Sequence, residues 1–442
     1  MSPENPTNQK FNFILILLLI SLSLSACEGM AIGEPDDAQP ELLQSSVERA
    51  AAPEVPRGDL EKLVQGNNAF MLDLYQGIKD QAGNLFISPY SISSALAMTY
   101  AGARGETEQQ LAEGMHYTLP QDQLHAAFNA LDRLLISRSD VELPEEGGDP
   151  FQLNTANAIW GQRDFAFEED FLETLARHYG AGLRLVDFIQ QPEASRQTIN
   201  NWVSQETEQK IQDLIPQGAI DPDTRLVLSN AIYFNAGWLE PFQTDLTGEE
   251  NFTTLAGEQV SVPMMAQRDP VSYPYFQGDG FQAVELPYVG GEVSMLILLP
   301  DPGRFSSFEG RFSAEKLQEI TAGLTPQSID LRMPRFEFES EFSLAGTLAA
   351  MGMPQPFSPT ADFSGMTGGK DLFISDVFHK AFVSVDEEGT EAAAATAVVM
   401  KLTSLPASNP LEVTLDRPFV FLIRDRGTGA VLFLGRVVNP SL

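Results

Sequence analysis

Side chains able to do nucleophilic or metal chemistry are scarce in this chain and poorly spaced for it. There is one cysteine, Cys27, and there are four histidines: His116, His125, His178 and His379. No histidine pair has the spacing of a zinc-binding helix and no Cys/His cluster exists, so no metal site is expected. A glycine-rich phosphate loop and a G-x-S-x-G elbow are both missing. No nucleophile–base constellation stands out, so neither an enzyme nor a bound cofactor is expected. A single cysteine also excludes an internal disulfide. The one reactive side chain therefore needs a different use, and its position near the N-terminus suggests one.

Residues 11–22, FNFILILLLISL, form an apolar run preceded by Lys10. The run is too short for a comfortable membrane span but suits the core of a signal peptide. Leu24-Ser25-Ala26-Cys27 follows and resembles the lipobox of bacterial lipoproteins, in which the cysteine is acylated and becomes the new N-terminus. On this reading residues 1–26 are a signal peptide and Cys27 carries the lipid. The protein is exported and anchored at the bacterial cell envelope, at the outer membrane or the cell surface. Three acyl chains, at about 0.8 kcal/mol per buried CH₂, would hold it stably. The alternative is an ordinary cleaved leader with an incidental cysteine. Residues 28–58 are rich in Pro, Glu, Asp, Ala and Ser with no hydrophobic period, so 27–58 is expected to be a disordered tether reaching roughly 30 Å.

The chain is long enough for a large core, with 442 residues of which 43% are hydrophobic. Its 27 Lys and Arg stand against 61 Asp and Glu, a net charge of −34. No basic stripe can form, which argues against nucleic acid as a partner. From residue 59 to 442 there is no repeat and no second linker, so one domain is expected. Its first third reads helical, with Ala69, Leu72, Leu74 and Ile78 at helical spacing. Asn84–Ile87 reads as a short strand running into Ser88-Pro89, with Ser88 capping a helix whose first turn holds Pro89. Further helices are expected over 106–114 and 122–137. From 226 onward the pattern is β-branched and aromatic: 226–234, 293–299, 329–338, 382–385, 419–423 and 431–438 read as strands. Helices first and strands later indicate an α+β fold.

A set of ordered blocks makes the reading specific. NLFISPYSISSALAMTYAGARGETEQQL (84–111), TANAIWGQ (155–162), INNWVSQETEQKIQDLI (199–215) and LVLSNAIYFNAGWLEPF (226–242) come first. AVELPY (283–288), MLILLP (295–300), LRMPRFEFES (331–340) and ADFSGM (361–366) come next. HKAFVSVDEEGTEAAAATAVVM (379–400), RPFVFLIRD (417–425) and LFLGRVVNP (432–440) close the chain. In this order the sequence resembles the serpin family over essentially all of 59–442. The resemblance implies three β-sheets, eight or nine helices and an exposed reactive-centre loop near the C-terminus. It implies inhibition of serine, or cysteine, endopeptidases by a suicide route: the loop is cleaved, inserts as a new strand of the central sheet, and drags the acylated protease across the molecule. Strand insertion of this kind is a recognised form of β-augmentation.

The loop chemistry suits insertion. Residues 386–404 read DEEGTEAAAATAVVMKLTS. Alanine favours helix over strand, but an inserting strand chiefly needs small, uncharged side chains and no proline. With period 2, one face carries Thr390, Ala392, Ala394, Thr396 and Val398, and the other Glu391, Ala393, Ala395, Ala397 and Val399. The only charge, Glu391, falls on the side expected to face solvent. Glu387, Gly389, Thr390, Glu391 and Ala392 to Ala395 (Ala392, Ala393, Ala394, Ala395) thus match the family's hinge, with Gly389 as a flexible pivot. The resemblance also assigns Ser88, Ser91, Asn230 and His379 to a buried cluster controlling sheet opening, and Trp238 to the upper end of that sheet. Counted from Glu387 at the family spacing, the scissile bond is Thr403-Ser404, with Leu402-Thr403 as the alternative. Thr or Leu before the bond suits elastase-like or subtilisin-like targets. The helix over 122–137 carries Arg133 beside Asp122 and Asp132, so no heparin-like activator is expected, and a monomer suffices. A non-inhibitory member acting as a cell-surface binding or carrier module is the competing function.

Overall fold

In the computed structural model, residues 40–140, 151–390 and 410–441 are described. Cys27, the segment Glu391–Ser404 with Leu402 and Thr403 in it, and hence the scissile bond lie outside them. Along the chain, Glu41–Leu43 (β1) precedes Arg57–Ile78 (α1), Leu85–Ile87 (β2), Pro89–Tyr100 (α2), Gly105–Gly114 (α3) and Gln121–Ile136 (α4). Then come Gln152–Gln162 (β3), Glu169–Thr174 (α5), Leu183–Val186 (β4), Pro192–Glu206 (α6) and Leu226–Gly237 (β5). Gly248–Thr253 (β6), Gln259–Ala266 (β7), Val271–Gly278 (β8), Phe281–Pro287 (β9) and Val293–Pro300 (β10) form the next run. After Phe305–Glu309 (α7) and Ala314–Gly323 (α8) come Thr325–Pro334 (β11), Phe336–Ser343 (β12), Ala345–Ala350 (α9) and Ser364–Thr367 (α10). Ile374–Val385 (β13), Gly389–Thr390 (β14), Leu411–Thr414 (β15), Phe419–Asp425 (β16) and Val431–Val437 (β17) complete the chain.

The strands form two sheets among the described residues. One has seven strands in the order β1-β4-β3-β5-β14-β13-β12. The other runs β2-β17-β16-β10-β9-β8-β11-β7-β6, with β15 beside β11. The second and third sheets implied by the resemblance are thus joined, because β11 pairs with β8 through Thr325–Ile329 and with β7 through Arg332–Pro334. The strand read over 329–338 is also divided. Pro334 offers no N–H and Arg335 turns its own toward Pro263, so Phe336 restarts in the seven-stranded sheet.

Helix α2 lies against β3, β5 and β17 and is positioned by its entry. Ser88 caps it by accepting from Ser91 N, and Pro89 occupies the first turn. The sheet sends Leu226, Leu228, Ile232, Phe234 and Ala236 of β5 into the main core. The alternate residues Val227 and Ala231 pack under Ile199 and Val203 of α6. Both faces of the central strand are therefore covered over its lower half, which explains its nearly continuous apolar run.

The expected tether is not structureless throughout. Glu41–Leu43 pairs antiparallel with β4, and Arg49 bonds to Asn129 and Asp132 of α4. Composition concealed this because the edge of β4 supplies the pairing and no hydrophobic period is needed.

Candidate functional site: the seam between β5 and β13

Strands β5 and β13 run parallel and pair directly from Leu226/Ile374 to Ile232/Ala381. Above that level they separate, and β14 enters between them. Gly389 pairs with Gly237 and Thr390 with Ala236 on one side, and Thr390 pairs with Val385 on the other. The seam is closed below and already occupied by two residues at its top.

The turn that feeds the seam is built on Asp386. Its Oδ1 accepts from Glu388 N at 2.9 Å and Gly389 N at 3.1 Å, and its own N–H donates to Gly389 O at 3.0 Å. Gly389 is required for space: a Cβ there would lie 2.2 Å from Ala236 O and 2.7 Å from Gly237 Cα. Thr390 is buried, with its Oγ1 2.8 Å from Tyr288 Oη. Tyr288 stacks on Trp238 with ring centroids 4.6 Å apart. Trp238 fastens the turn, its Nε1 donating to Asp386 O at 3.0 Å and its backbone N–H to Glu388 O at 2.7 Å. Glu387 is 2% exposed and accepts from Thr247 Oγ1 and Arg335 Nη2. Burial pushes the Glu387 carboxyl up, but those two donors outweigh it and hold it below the ordinary carboxylate range.

Ser88, Ser91, Asn230 and His379 come together about six residues, roughly 20 Å, lower on β5. Asn230 pairs with His379 across the seam, and Asn157 of β3 pairs with Asn230 on the other side. His379 Nε2 accepts from Ser88 N at 3.2 Å, so Nδ1 carries the proton and donates to Asn230 Oδ1 at 2.5 Å. Asn230 Nδ2 donates to Ser91 Oγ at 2.7 Å and to Asn157 Oδ1. Ser91 Oγ donates to Asn157 Oδ1 at 2.9 Å, and Ser88 Oγ to Leu432 O at 2.7 Å. All four expected residues are fully buried, and the cluster is hydrogen-bonded throughout. Parting β5 from β13 breaks the His379–Asn230 bond and leaves two buried polar groups open.

Several members of the site were not singled out from the sequence. Asn157, Tyr288, Thr247 and Arg335 each act through a partner far away in the chain. Nothing in their local pattern marks them, although Asn157, Tyr288 and Arg335 lie inside the quoted blocks. The antiparallel Gly389–Gly237 register runs down β5 toward Asn230 and Leu226.

Known proteins share this fold. The family model "Serpin (serine protease inhibitor)" matches residues 65–440. The chain is 36% identical to an uncharacterized serpin-like protein of Thermococcus kodakarensis, over 97% of this chain and 99% of that one. It is 39% identical to the leukocyte elastase inhibitor of Bos taurus, over 86% of this chain and 100% of that one. The crystal structure of a thermophilic serpin, tengpin, in the native state is similar with a TM-score of 0.79 and 28% identity, covering 91% of this chain and 100% of that one.

Proposed function

This chain belongs to the serpin family, and from that premise we propose that it is a suicide-substrate inhibitor of serine, or cysteine, endopeptidases. The observation that carries the proposal is the β14 register. The hinge is already threaded between β5 and β13 with Thr390 buried on the core face. Residues 391–400 can continue along the same seam without placing a charge on that face.

The target's nucleophile attacks the carbonyl carbon of Thr403, or of Leu402 in the alternative register. The peptide bond to the next residue breaks, its nitrogen leaves with a proton, and an acyl-enzyme forms. Residues Glu391, Ala392, Ala393, Ala394 and Ala395 then follow Thr390 into the seam. At the level of Asn230 the hydroxyl of Thr396 arrives between Asn230 and His379, where it can donate to one and accept from the other. That exchange keeps the cluster satisfied in both states and lets the seam open without a lasting penalty. Further insertion proceeds below α6, where the alternate face of the strand offers only Ala393, Ala395, Ala397 and Val399.

Thr403 or Leu402 before the bond, together with the leukocyte elastase inhibitors among the relatives, supports a target with a small or aliphatic specificity pocket. Lys10, the apolar run and Leu24–Cys27 support a lipid anchor on Cys27 and a place at the cell envelope. Incubation with elastase-like, subtilisin-like and trypsin-like proteases, followed by denaturing gels, tests the proposal. A covalent complex that survives SDS is expected with at least one of the first two classes. Cleavage of the loop without any such complex would instead support a non-inhibitory carrier.

A further inference from the structure

Helix α6 packs over β3 and β5, yet little of it is anchored by apolar contact. Of its 15 residues only Ser195, Ile199, Asn200 and Val203 are buried, and no side chain caps its N-terminus. At its other end the chain leaves the helix at Thr207 and takes positive φ at Glu208 and Gln209, a strained exit for residues with a Cβ. The cluster beneath the helix nevertheless reaches both sides of the seam. Val227 and Ala231 of β5 and Phe378 of β13 belong to it together with Ile199 and Val203. Phe378 pairs with Ser229 across the β5–β13 junction, so parting those strands shears the cluster under α6.

The C-terminal half of α6 is tied to the sheet by a guanidinium. Arg184 of β4 stands opposite Trp160 of β3, and Trp160 opposite Val227 of β5. The Arg184 guanidinium carbon lies 4.3 Å from the ring centre of Trp202, on α6, and 5.8 Å from that of Trp160. The two indoles meet edge to face with ring centres 5.4 Å apart. Trp160 is fully buried and pinned to β5, its Nε1 donating to Ser229 Oγ at 2.8 Å. Burial lowers the pKa of Arg184, and the charge of Glu206 at the end of α6 offsets part of that. A guanidinium partly drawn out of water gains more from an aromatic face than an exposed one does.

We propose that Arg184 is a positioning residue of the insertion step: by holding Trp202 against Trp160 it clamps the C-terminal half of α6 to the sheet and sets how readily the helix yields when β5 and β13 part. The effect on insertion rests on the inhibitory reading given above, whereas the clamp is a property of the intact molecule. Ile199 and Val203 are the only apolar side chains that α6 itself buries, so one half-desolvated cation–π contact is a large share of its anchorage. Loss of that contact corresponds to about a five- to thirty-fold change in how often the helix opens.

The test compares the intact full chain with Arg184→Met, which keeps an unbranched stem and removes the charge, and with Arg184→Lys, which keeps the charge. Hydrogen exchange is read by mass spectrometry over 192–206 and, as a control for global stability, over 419–437. Exchange over 192–206 should be about five- to thirty-fold faster in Arg184→Met and partly restored in Arg184→Lys, with 419–437 unchanged in both. Equal exchange over 192–206 in wild type and Arg184→Met overturns the clamp. Faster exchange over both segments reduces Arg184 to a general contributor to stability and overturns it too. The second readout is the limiting rate at which the SDS-stable complex forms with a saturating protease that the wild type traps. That rate should rise several-fold in Arg184→Met. A faster-exchanging α6 with an unchanged limiting rate overturns the role in insertion and leaves the inhibitory reading standing. Wild type that forms no SDS-stable complex with any protease class overturns the inhibitory reading, and the role in insertion falls with it.

Discussion

Single residues carry two consequences of the site's geometry. Thr390 is buried against Tyr288 in the intact molecule, so Thr390→Arg would force a guanidinium into the core side of the seam. An unpaired buried charge of that kind costs several kcal/mol. The arginine should expel β14, slow insertion at its first step and turn the inhibitor into a substrate. Glu391→Arg is the control, because its neighbour in the extended register, Asn235, is only half-buried. Titration of both variants against a trapped protease should show a several-fold rise in stoichiometry for Thr390→Arg only. Greater damage from Glu391→Arg would show that the strand faces are misassigned. The second consequence is a pH dependence. Burial lowers the pKa of His379 to about 3, partly offset by its bond to Asn230. It lowers His125 to about 3 as well, with nearby His178 adding to the effect. In the unfolded chain both titrate near 6.5, so between about pH 6.5 and 3 the unfolded state binds protons that the folded state refuses. Stability must fall as pH falls through that window. The unfolding free energy from urea titrations should be lower at about pH 5.5 than at about pH 7 for wild type, and the loss should be smaller by about 1 kcal/mol in His125→Gln. Equal drops would mean that His125 is not held neutral by the fold. Sequence showed these residues unevenly. Ser88, Ser91, Asn230 and His379 were legible through the family blocks. Gly389 was read as a pivot, and its need for space appears only once Ala236 is known to lie against it.

At the scale of elements, the seam works because a row of residues crosses three strands at one level: Asn157, Asn230 and His379, with Phe342 of β12 beyond. Such a row is invisible in one sequence, since its members lie in strands whose pairing is long-range. For the same reason 329–338 read as one strand, although Pro334 divides it between two sheets. The short strand β1 could not be read at all, because its order comes from the edge of β4. What the sequence did show was the Ser88–Pro89 helix entry, a local pattern. The element-scale prediction concerns Thr396, placed opposite Asn230 by the extended register. Thr396→Val keeps the shape but removes the hydroxyl, leaving Asn230 and His379 short of a partner once they are parted. The loop-cleaved form should lose about 1–3 kcal/mol of stability, while the intact form keeps its wild-type urea midpoint. Loss in the intact form, or none in the cleaved form, would place another residue at that level.

At the scale of the whole molecule, the proposed mechanism requires the intact protein to lie above its loop-inserted form in free energy. Its seven-stranded sheet holds a seam whose upper end contains two residues and whose lower end is zipped shut by a β5–β13 pairing that the proposed insertion would have to replace. Stability of the intact form is therefore partly a matter of barriers, which a heating scan reports as a rate as much as an equilibrium. On the insertion proposal, cleavage releases the strand, and new ladder bonds along β5 and β13 would lower the energy of the product. The most direct test is the melting temperature of the chain before and after a single cut within residues 396–404. The insertion account predicts a rise of tens of degrees for the cut form. A cut form melting at or below the intact protein would contradict it.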